Sequence, residues 1–567
     1  MTKSFRITLT ASVVALALAV PAFAQTRGVT AEDYYAFETL GDPHFSPDGA
    51  TIAFVVTTVD QRQNRRRSEI WAVPADGSRD PVTWTRAPQS SNSPRWRPDG
   101  KAIAFLSARP VPGDAATDTP RTQVWLLPLA GGEPSRVTNF PNGAASFQWS
   151  PEGDRLVVVS RSGPSDTAKS PSDVRHYAHA NYKFNDTGWF DDKRAHLWVV
   201  DVASGRSSQL TSGDDWNDAD PQWSPDGRKI AFVSDRTGRT FDDSHDTDVW
   251  VIDANGGPLT TISDHTSGDN SPRWSPDGQT IAFLSSVPEK SHPKIWLAPS
   301  AGGAASRLAA DGIDLIPGGL RWAEGGRALY FETGVKGTSQ LYRVDLAARR
   351  AAPVTSGDRT VHLVDLNERT GRLAYAVNDP THLDDLHVAD LSGRNEKQIT
   401  HLNAALWKQL QVVPVERVAF KGADGWDVDG FVMKPVGWEP GRTYPMILTI
   451  HGGPAGQFGF DWYHEFQVYA AHGWAVFFTN PRGSTGYGEK FERGIELNWN
   501  ASPLKYVSNV RTPTLVLHSD NDFRVPIEQG EQWFRALRHF GVPSEVVFFP
   551  RENHNLTRTG EPKHLVE

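Results

Sequence analysis

The chain has 567 residues, 38% of them hydrophobic and 10% aromatic, which is too much apolar side chain for a disordered protein and too long a chain for one ordinary core. Its formal net charge is -9, so it lacks the basic surplus that neutralises nucleic-acid phosphates, and nucleic acid is not an expected partner. With no cysteine, it has no disulfide framework and no thiolate for catalysis or metal binding.

The first segment reads as a secretory signal. Lys3 and Arg6 precede the apolar run "LTASVVALALAV", which is too short to span a bilayer. "PAFAQ" then offers Ala22 and Ala24 as the small residues of a cleavage site. The expectation is a signal peptide over 1–24, cleavage after Ala24, and export to the periplasm. No later apolar run is long enough for a membrane helix. Residues 25–40 are expected to form a helical N-terminal segment. The basic run Arg65, Arg66 and Arg67 lies between two strand signals and is expected in a solvated hairpin loop.

From about residue 41 to 405 one unit recurs: an aromatic residue, a Pro-Asp-Gly turn and a short apolar strand. It appears as "FSPDGATIAFV" (45–55), "WRPDGKAIAFL" (96–106), "WSPEGDRLVVV" (149–159), "WSPDGRKIAFV" (223–233) and "WSPDGQTIAFL" (274–284). Two degraded copies follow, "WAEGGRALYF" (322–331) and "NERTGRLAYAV" (367–377). Pro presets φ, Asp bonds the local backbone and Gly accepts positive φ, so the motif makes a tight turn. Each copy precedes a second strand such as "EIWAV" (69–73) or "DVWVI" (248–252). A period of about 50 residues in seven copies predicts a seven-bladed β-propeller, with the repeated Trp residues packed between blades. An insertion, "RHYAHANYKFNDTGWFDDKR" (175–194), interrupts the series where a substrate or partner contact could sit. Its His176 and His179 lack a third ligand and read as surface residues; no metal site is expected.

From residue 410 to 567 the pattern changes. "RVAFKGADGWDVDGFVMKP" (417–435) reads as a hairpin, and "HEFQVYAAHG" (464–473) has helical spacing. "YPMILTIHGGP", "WAVFFTNPRGS", "TPTLVLHSDND" and "SEVVFFPRENH" read as buried strands, and "PIEQGEQWFRALRHFG" (526–541) as an amphipathic helix closed by Gly541. Apolar strands alternating with helices predict an α/β domain with a parallel sheet. Sites in such sheets form at the carboxyl ends of strands. Asp522 and His554 fall there, 32 residues apart and with one helix between them, as an orienting acid and a general base would. Gly452 and Gly453, after another strand, leave backbone N–H groups free to approach an oxyanion. Taken alone, Asp522 could equally cap the next helix, and His554 could be a structural contact. Arg524 reads as an ion-pair partner fixing its loop.

The ordered series "HGGP … NPRGSTGYG … HSDNDFRVP … FPRENHNL", behind a propeller and a signal segment, resembles the prolyl oligopeptidase family of serine peptidases, in its acylaminoacyl-peptidase and dipeptidyl-peptidase-like branch. The resemblance implies an α/β-hydrolase domain, Asp522 as triad acid, His554 as triad base and Gly452–Gly453 in the oxyanion hole. It also implies short peptides as substrates, admitted past the propeller, and no cofactor. One part of the pattern is absent. A nucleophile elbow needs G-x-S-x-G, and this sequence contains none. Ser484 in "RGSTGYG" has the wrong spacing and reads as a loop residue; Ser502 and Ser508 lead into the acid strand, and Ser519 sits beside the acid. The stretch from Ser484 to Asp522 is too short for an elbow strand, its helix and a further strand and helix, because one βαβ unit takes about 30 residues or more. "RGIELNWNASPLKYV" (493–507) therefore reads as two ends of an interval joined near Trp499–Asn500. The resemblance also implies a last helix beyond "KHLVE". Three readings stay open: a peptidase by lineage that is inactive as written, a non-catalytic periplasmic propeller acting as a binding or scaffold protein, and a defect in the coding sequence.

Overall fold

A computed structural model describes residues 26–566, apart from 87, 112–119, 168–173, 175–176, 178–181, 186, 237–246, 264, 266–267, 288–290, 304–305, 423–424, 453–454, 496–502 and 557–561. The expected cleavage site, His176, His179, Gly453, Ser502 and the Trp499–Asn500 junction lie outside the described residues. No helix among those described is long and apolar enough to cross a membrane.

Seven four-stranded antiparallel blades follow one another in sequence order, the first opening at Thr39–Phe45 and the seventh closing at Lys397–Gln398. Blades six and seven are linked by one parallel pair, Ser339 with Thr360. The recurrent turn works as its residues dictate. In the first copy Gly49 adopts φ 74, its N–H donates to Ser46 O at 2.8 Å, and Ser46 Oγ donates to Asp48. The second strand of each blade is the driest: Ile52, Ala53 and Phe54 are fully buried, as are Ile281, Ala282 and Phe283.

The repeated Trp residues do more than fill space. Trp96, Trp149, Trp223, Trp274 and Trp322 each donate their indole N–H to a carbonyl of the preceding blade, at 3.0, 3.1, 3.3, 3.1 and 2.9 Å. One side chain thus supplies both inter-blade packing and a directional bond. The ring closes by packing rather than by a shared strand. Leu40, Phe45 and Ile52 of the first blade join Ala374 and Leu386 of the last in one cluster. Asp365 also accepts the Phe45 N–H at 2.8 Å.

Two expectations are corrected here. Arg65–Arg67 do not sit in a loop; they open the strand Arg65–Pro74, where Arg67 pairs with Asp60 at 2.5 Å. The N-terminal segment holds only a 3-10 turn, Ala31–Tyr35, preceded by Arg27–Gly28, which pairs in parallel with Leu410–Gln411. That pairing ties the segment to the start of the second domain.

The second domain contains β1 (Val415–Lys421), β2 (Asp427–Met433), β3 (Met446–Ile450), α1 (His464–Ala471), β4 (Ala475–Asn480), α2 (Glu489–Glu492), β5 (Thr514–Ser519), α3 (Ile527–His539), β6 (Ser544–Phe549) and α4 (Pro562–Val566). β1 and β2 form the expected hairpin. The sheet order is β1-β2-β4-β3, with β3 parallel to β4; β5 and β6 pair in parallel as a separate sheet. Phe431, Phe466, Val476 and Phe478 fill the core on one face of the larger sheet. The other face is bare, which overturns the expectation that these strands are buried. Met446, Leu448 and Ile450 of β3 are 60%, 54% and 65% exposed, and Leu515 and Leu517 of β5 are 58% and 56% exposed. In the four-stranded sheet β3 pairs only with β4, so its outer edge faces no other described strand.

Candidate active site

β5 and β6 run in parallel register from Thr514↔Ser544 to Ser519↔Phe549, so their carboxyl ends lie side by side. The turns after them are laced together. Asp520 N–H donates to Phe549 O at 3.1 Å, Asn521 N–H to Glu552 O at 3.0 Å, and Arg551 N–H to the Asp520 carboxylate. Asp522 is buried, 7% exposed. Its Oδ1 accepts the backbone N–H groups of Arg524 and Val525 at 2.9 and 2.8 Å, which fixes the carboxylate plane. Its Oδ2 lies 2.7 Å from His554 Nδ1. The two residues predicted as acid and base therefore meet, with the carboxylate on Nδ1 and Nε2 left to exchange a proton. The His554 side chain keeps 37% of its surface exposed, so a substrate can reach the ring.

Two residues that the sequence reading did not single out complete this corner, and both come from the propeller insertion. Asn185 Oδ1 accepts the His554 backbone N–H at 3.2 Å, and the Lys183 ammonium lies 4.8 Å from the Phe523 ring centroid. The hairpin Lys183–Phe184 with Gly188–Trp189 carries them. The signal was present: a polar and aromatic insertion in one blade, without a sequence rule to say which residue it would touch.

The oxyanion side is less assembled. His451 follows β3, its Nε2 2.9 Å from Ser484 Oγ, and Gly452 is exposed, with open space where a Cβ would stand. Ser484 is fully buried and donates its hydroxyl to Pro481 O at 2.7 Å, so it is a loop residue, as expected. Arg524 serves the acid through its backbone N–H. Among the described residues no serine hydroxyl bonds His554, whose ring pairs with Asp522 alone.

Residues 459–505 and 498–567 match the sequence profile of the prolyl oligopeptidase family, and residues 189–318 match that of the TolB beta propeller domain. Over these residues the chain is similar to the prolyl oligopeptidase family. It is 28% identical to the uncharacterized peptidase YuxL of Bacillus subtilis over 655 residues, covering 95% of this chain and 97% of that one. It is 23% identical to dipeptidyl-peptidase 5 of Porphyromonas gingivalis over 686 residues, covering 98% and 96%. The acylaminoacyl peptidase of Pyrococcus horikoshii has a similar fold, with a TM-score of 0.78 at 21% identity and 95% of each chain covered. A propeller followed by an α/β-hydrolase domain is thus the architecture of this chain, and peptides are the substrates that a likeness to the prolyl oligopeptidase family implies.

Proposed function

We propose that this chain descends from an exported serine peptidase of the acylaminoacyl-peptidase and dipeptidyl-peptidase-like branch, which cleaves short peptides in the periplasm without a cofactor. We further propose that it has lost the segment bearing the nucleophile and is inactive as written. The observation that carries the reading is the Asp522–His554 pair at 2.7 Å with no described serine hydroxyl on the ring. In the ancestral reaction His554 Nε2 would take the nucleophile's proton, Asp522 would stabilise the imidazolium, and the backbone after His451 would face the oxyanion.

Several observations support the lost segment. The family profile matches in two pieces that overlap at 498–505, the same junction that reads as a seam. The alignment to the Bacillus subtilis relative runs over 655 residues, about 115 more than this chain contributes to it. The bare faces of β3 and β5 are where a central strand and its helices would pack. Incubation with a fluorophosphonate probe tests the reading. The expected result is no covalent adduct and no hydrolysis of dipeptidyl or acyl-aminoacyl substrates; a stoichiometric adduct on any serine would overturn it. Sequencing of the coding region across Trp499 and Asn500 tells a lost segment from a defective sequence. The intact seven-bladed ring favours one second reading, a propeller kept as a binding or scaffold module.

A further inference from the structure

Where the propeller meets the hydrolase domain, three side chains from three separate segments converge. His292 lies in the hairpin between the second and third strands of blade five, Asp314 in the connection to blade six, and Glu489 at the start of α2. One ligand atom from each lies within 4.8 Å of the other two. His292 is 5% exposed. Its Nε2 lies 2.6 Å from Glu492 Oε2, and its Nδ1 is buried without a hydrogen-bond partner among the described residues. Asp314 Oδ1 lies 3.9 Å from that nitrogen, too far for a hydrogen bond.

An orphaned ring nitrogen aimed at carboxylates has a direct chemical reading. In the tautomer that donates Nε2–H to Glu492, a neutral ring has its lone pair on Nδ1, the state a metal ligand requires. A carboxylate behind the histidine also raises the donor strength of the other nitrogen. Asp314 is held in place by the Glu489 N–H, which donates to its Oδ1 at 2.8 Å. Gly488, at φ 90, makes that approach possible, since a Cβ there would meet Asp314 Oδ2 at 2.3 Å. Glu489 Oε1 also lies 3.3 Å from Arg493 Nη1, a contact the second carboxylate oxygen need not share.

We propose that His292 Nδ1, Asp314 and Glu489 bind one zinc ion that clamps the propeller to the hydrolase domain. One imidazole and two carboxylates suit zinc, whereas calcium and magnesium prefer all-oxygen sets. Ligand atoms about 2.0–2.1 Å from the ion stand roughly 3.4 Å apart, so the three groups close by about an ångström on loading. Water takes the fourth position. The site does not depend on the nucleophile and stands whether or not the chain hydrolyses peptides.

The test uses the full, untagged chain, stripped with a chelator and titrated with zinc chloride in a calorimeter. A thermal-unfolding scan with and without zinc runs in parallel. The parent is expected to take up one equivalent and to unfold at a higher temperature when loaded. Asp314→Asn and Glu489→Gln, both at solvent-accessible positions, are each expected to weaken binding at least tenfold, and the double variant to lose both uptake and thermal shift. His292→Gln is expected to do the same; should it fail to fold, the double variant decides. A parent that takes up no zinc overturns the proposal. So does a double variant that binds zinc with the parent's stoichiometry and affinity.

Discussion

Leu448→Thr on β3 separates a bared sheet from a covered one. Leu448 is 54% exposed and Ile450, next on the same face, is 65% exposed, while Phe478 on the opposite face of the sheet is fully buried. Full burial of a leucine is worth about 1.5–3 kcal/mol, so a side chain already half in water contributes roughly 1 kcal/mol, and threonine keeps the strand preference. In a covered sheet the same truncation would cost about 2–5 kcal/mol. Phe478→Ala serves as the internal standard at about 3–5 kcal/mol. Amide hydrogen exchange of β4, which carries Phe478 and pairs with β3 beside Leu448, reads the local stability without assuming that the two domains unfold together. Protection is expected to fall less than about tenfold for Leu448→Thr and more than about 100-fold for Phe478→Ala. Equal losses in the two variants would mean that Leu448 is packed in solution, and that the face of β3 has a cover.

Limited proteolysis should leave a resistant fragment spanning the blades, Thr39 to Gln398, and cut first beyond Leu410, because the blades bury their apolar strands whereas β3 and β5 each expose an apolar face; equal resistance in both parts would show that the hydrolase sheets are fully packed. Glu396 accepts both Arg359 hydrogens, at 2.7 and 2.8 Å, and lies 2.8 Å from His387 Nδ1. Burial alone would raise its pKa, but these partners outweigh it and hold the group at about 2, below the usual 4.5. A lowered folded pKa gives stability that is full above pH 4.5 and lost as the pH falls towards 2. Glu396→Gln should therefore cost about 1–2 kcal/mol at neutral pH after solvent screening, and progressively less in acid, as read by urea denaturation; a pH-independent difference would refute the linkage. Asn185→Ala removes the acceptor of the His554 N–H, and exchange of that amide should quicken by about fivefold to tenfold, with the β6 amides unchanged. An unaltered His554 rate would show that the insertion does not hold the base.

What was readable in advance follows the range of the forces involved. The blades were legible because their information is local. A Pro-Asp-Gly turn and an alternating apolar strand specify a hairpin within about 20 residues, and the repeat multiplies the signal. The meeting of Asp522 with His554 was legible because strand ends in a parallel sheet are neighbours by construction, and β5 pairs with β6. The exposure of β3 was not legible. "MILTI" is as apolar as a buried strand, and whether it is buried depends on a partner that no local pattern encodes. Arg65–Arg67 misled for the opposite reason: their charge suggested a loop, but an edge of a long hairpin tolerates arginines whose heads reach solvent or Asp60. Asn185 was hidden because its target lies 369 residues away in sequence.

The same distinction bears on the proposed loss of the nucleophile segment. The acid–base pair depends on β5, β6, their two turns and one propeller hairpin, and each of these lies outside the interval around Trp499. The loop after β3, with His451 and Gly452, depends on β3 and its pairing with β4. In a hydrolase sheet the element between these two halves must pair with β3 on one side and continue towards β5 on the other, and its helix must cover Leu448 and Leu517. One segment would therefore supply the nucleophile, the bonds for the free edge and the cover for the bare face. On the proposed loss of that segment, the absent G-x-S-x-G, the divided sheet and the exposed leucines are consequences of one change, and a point substitution to serine elsewhere in the chain would repair none of them.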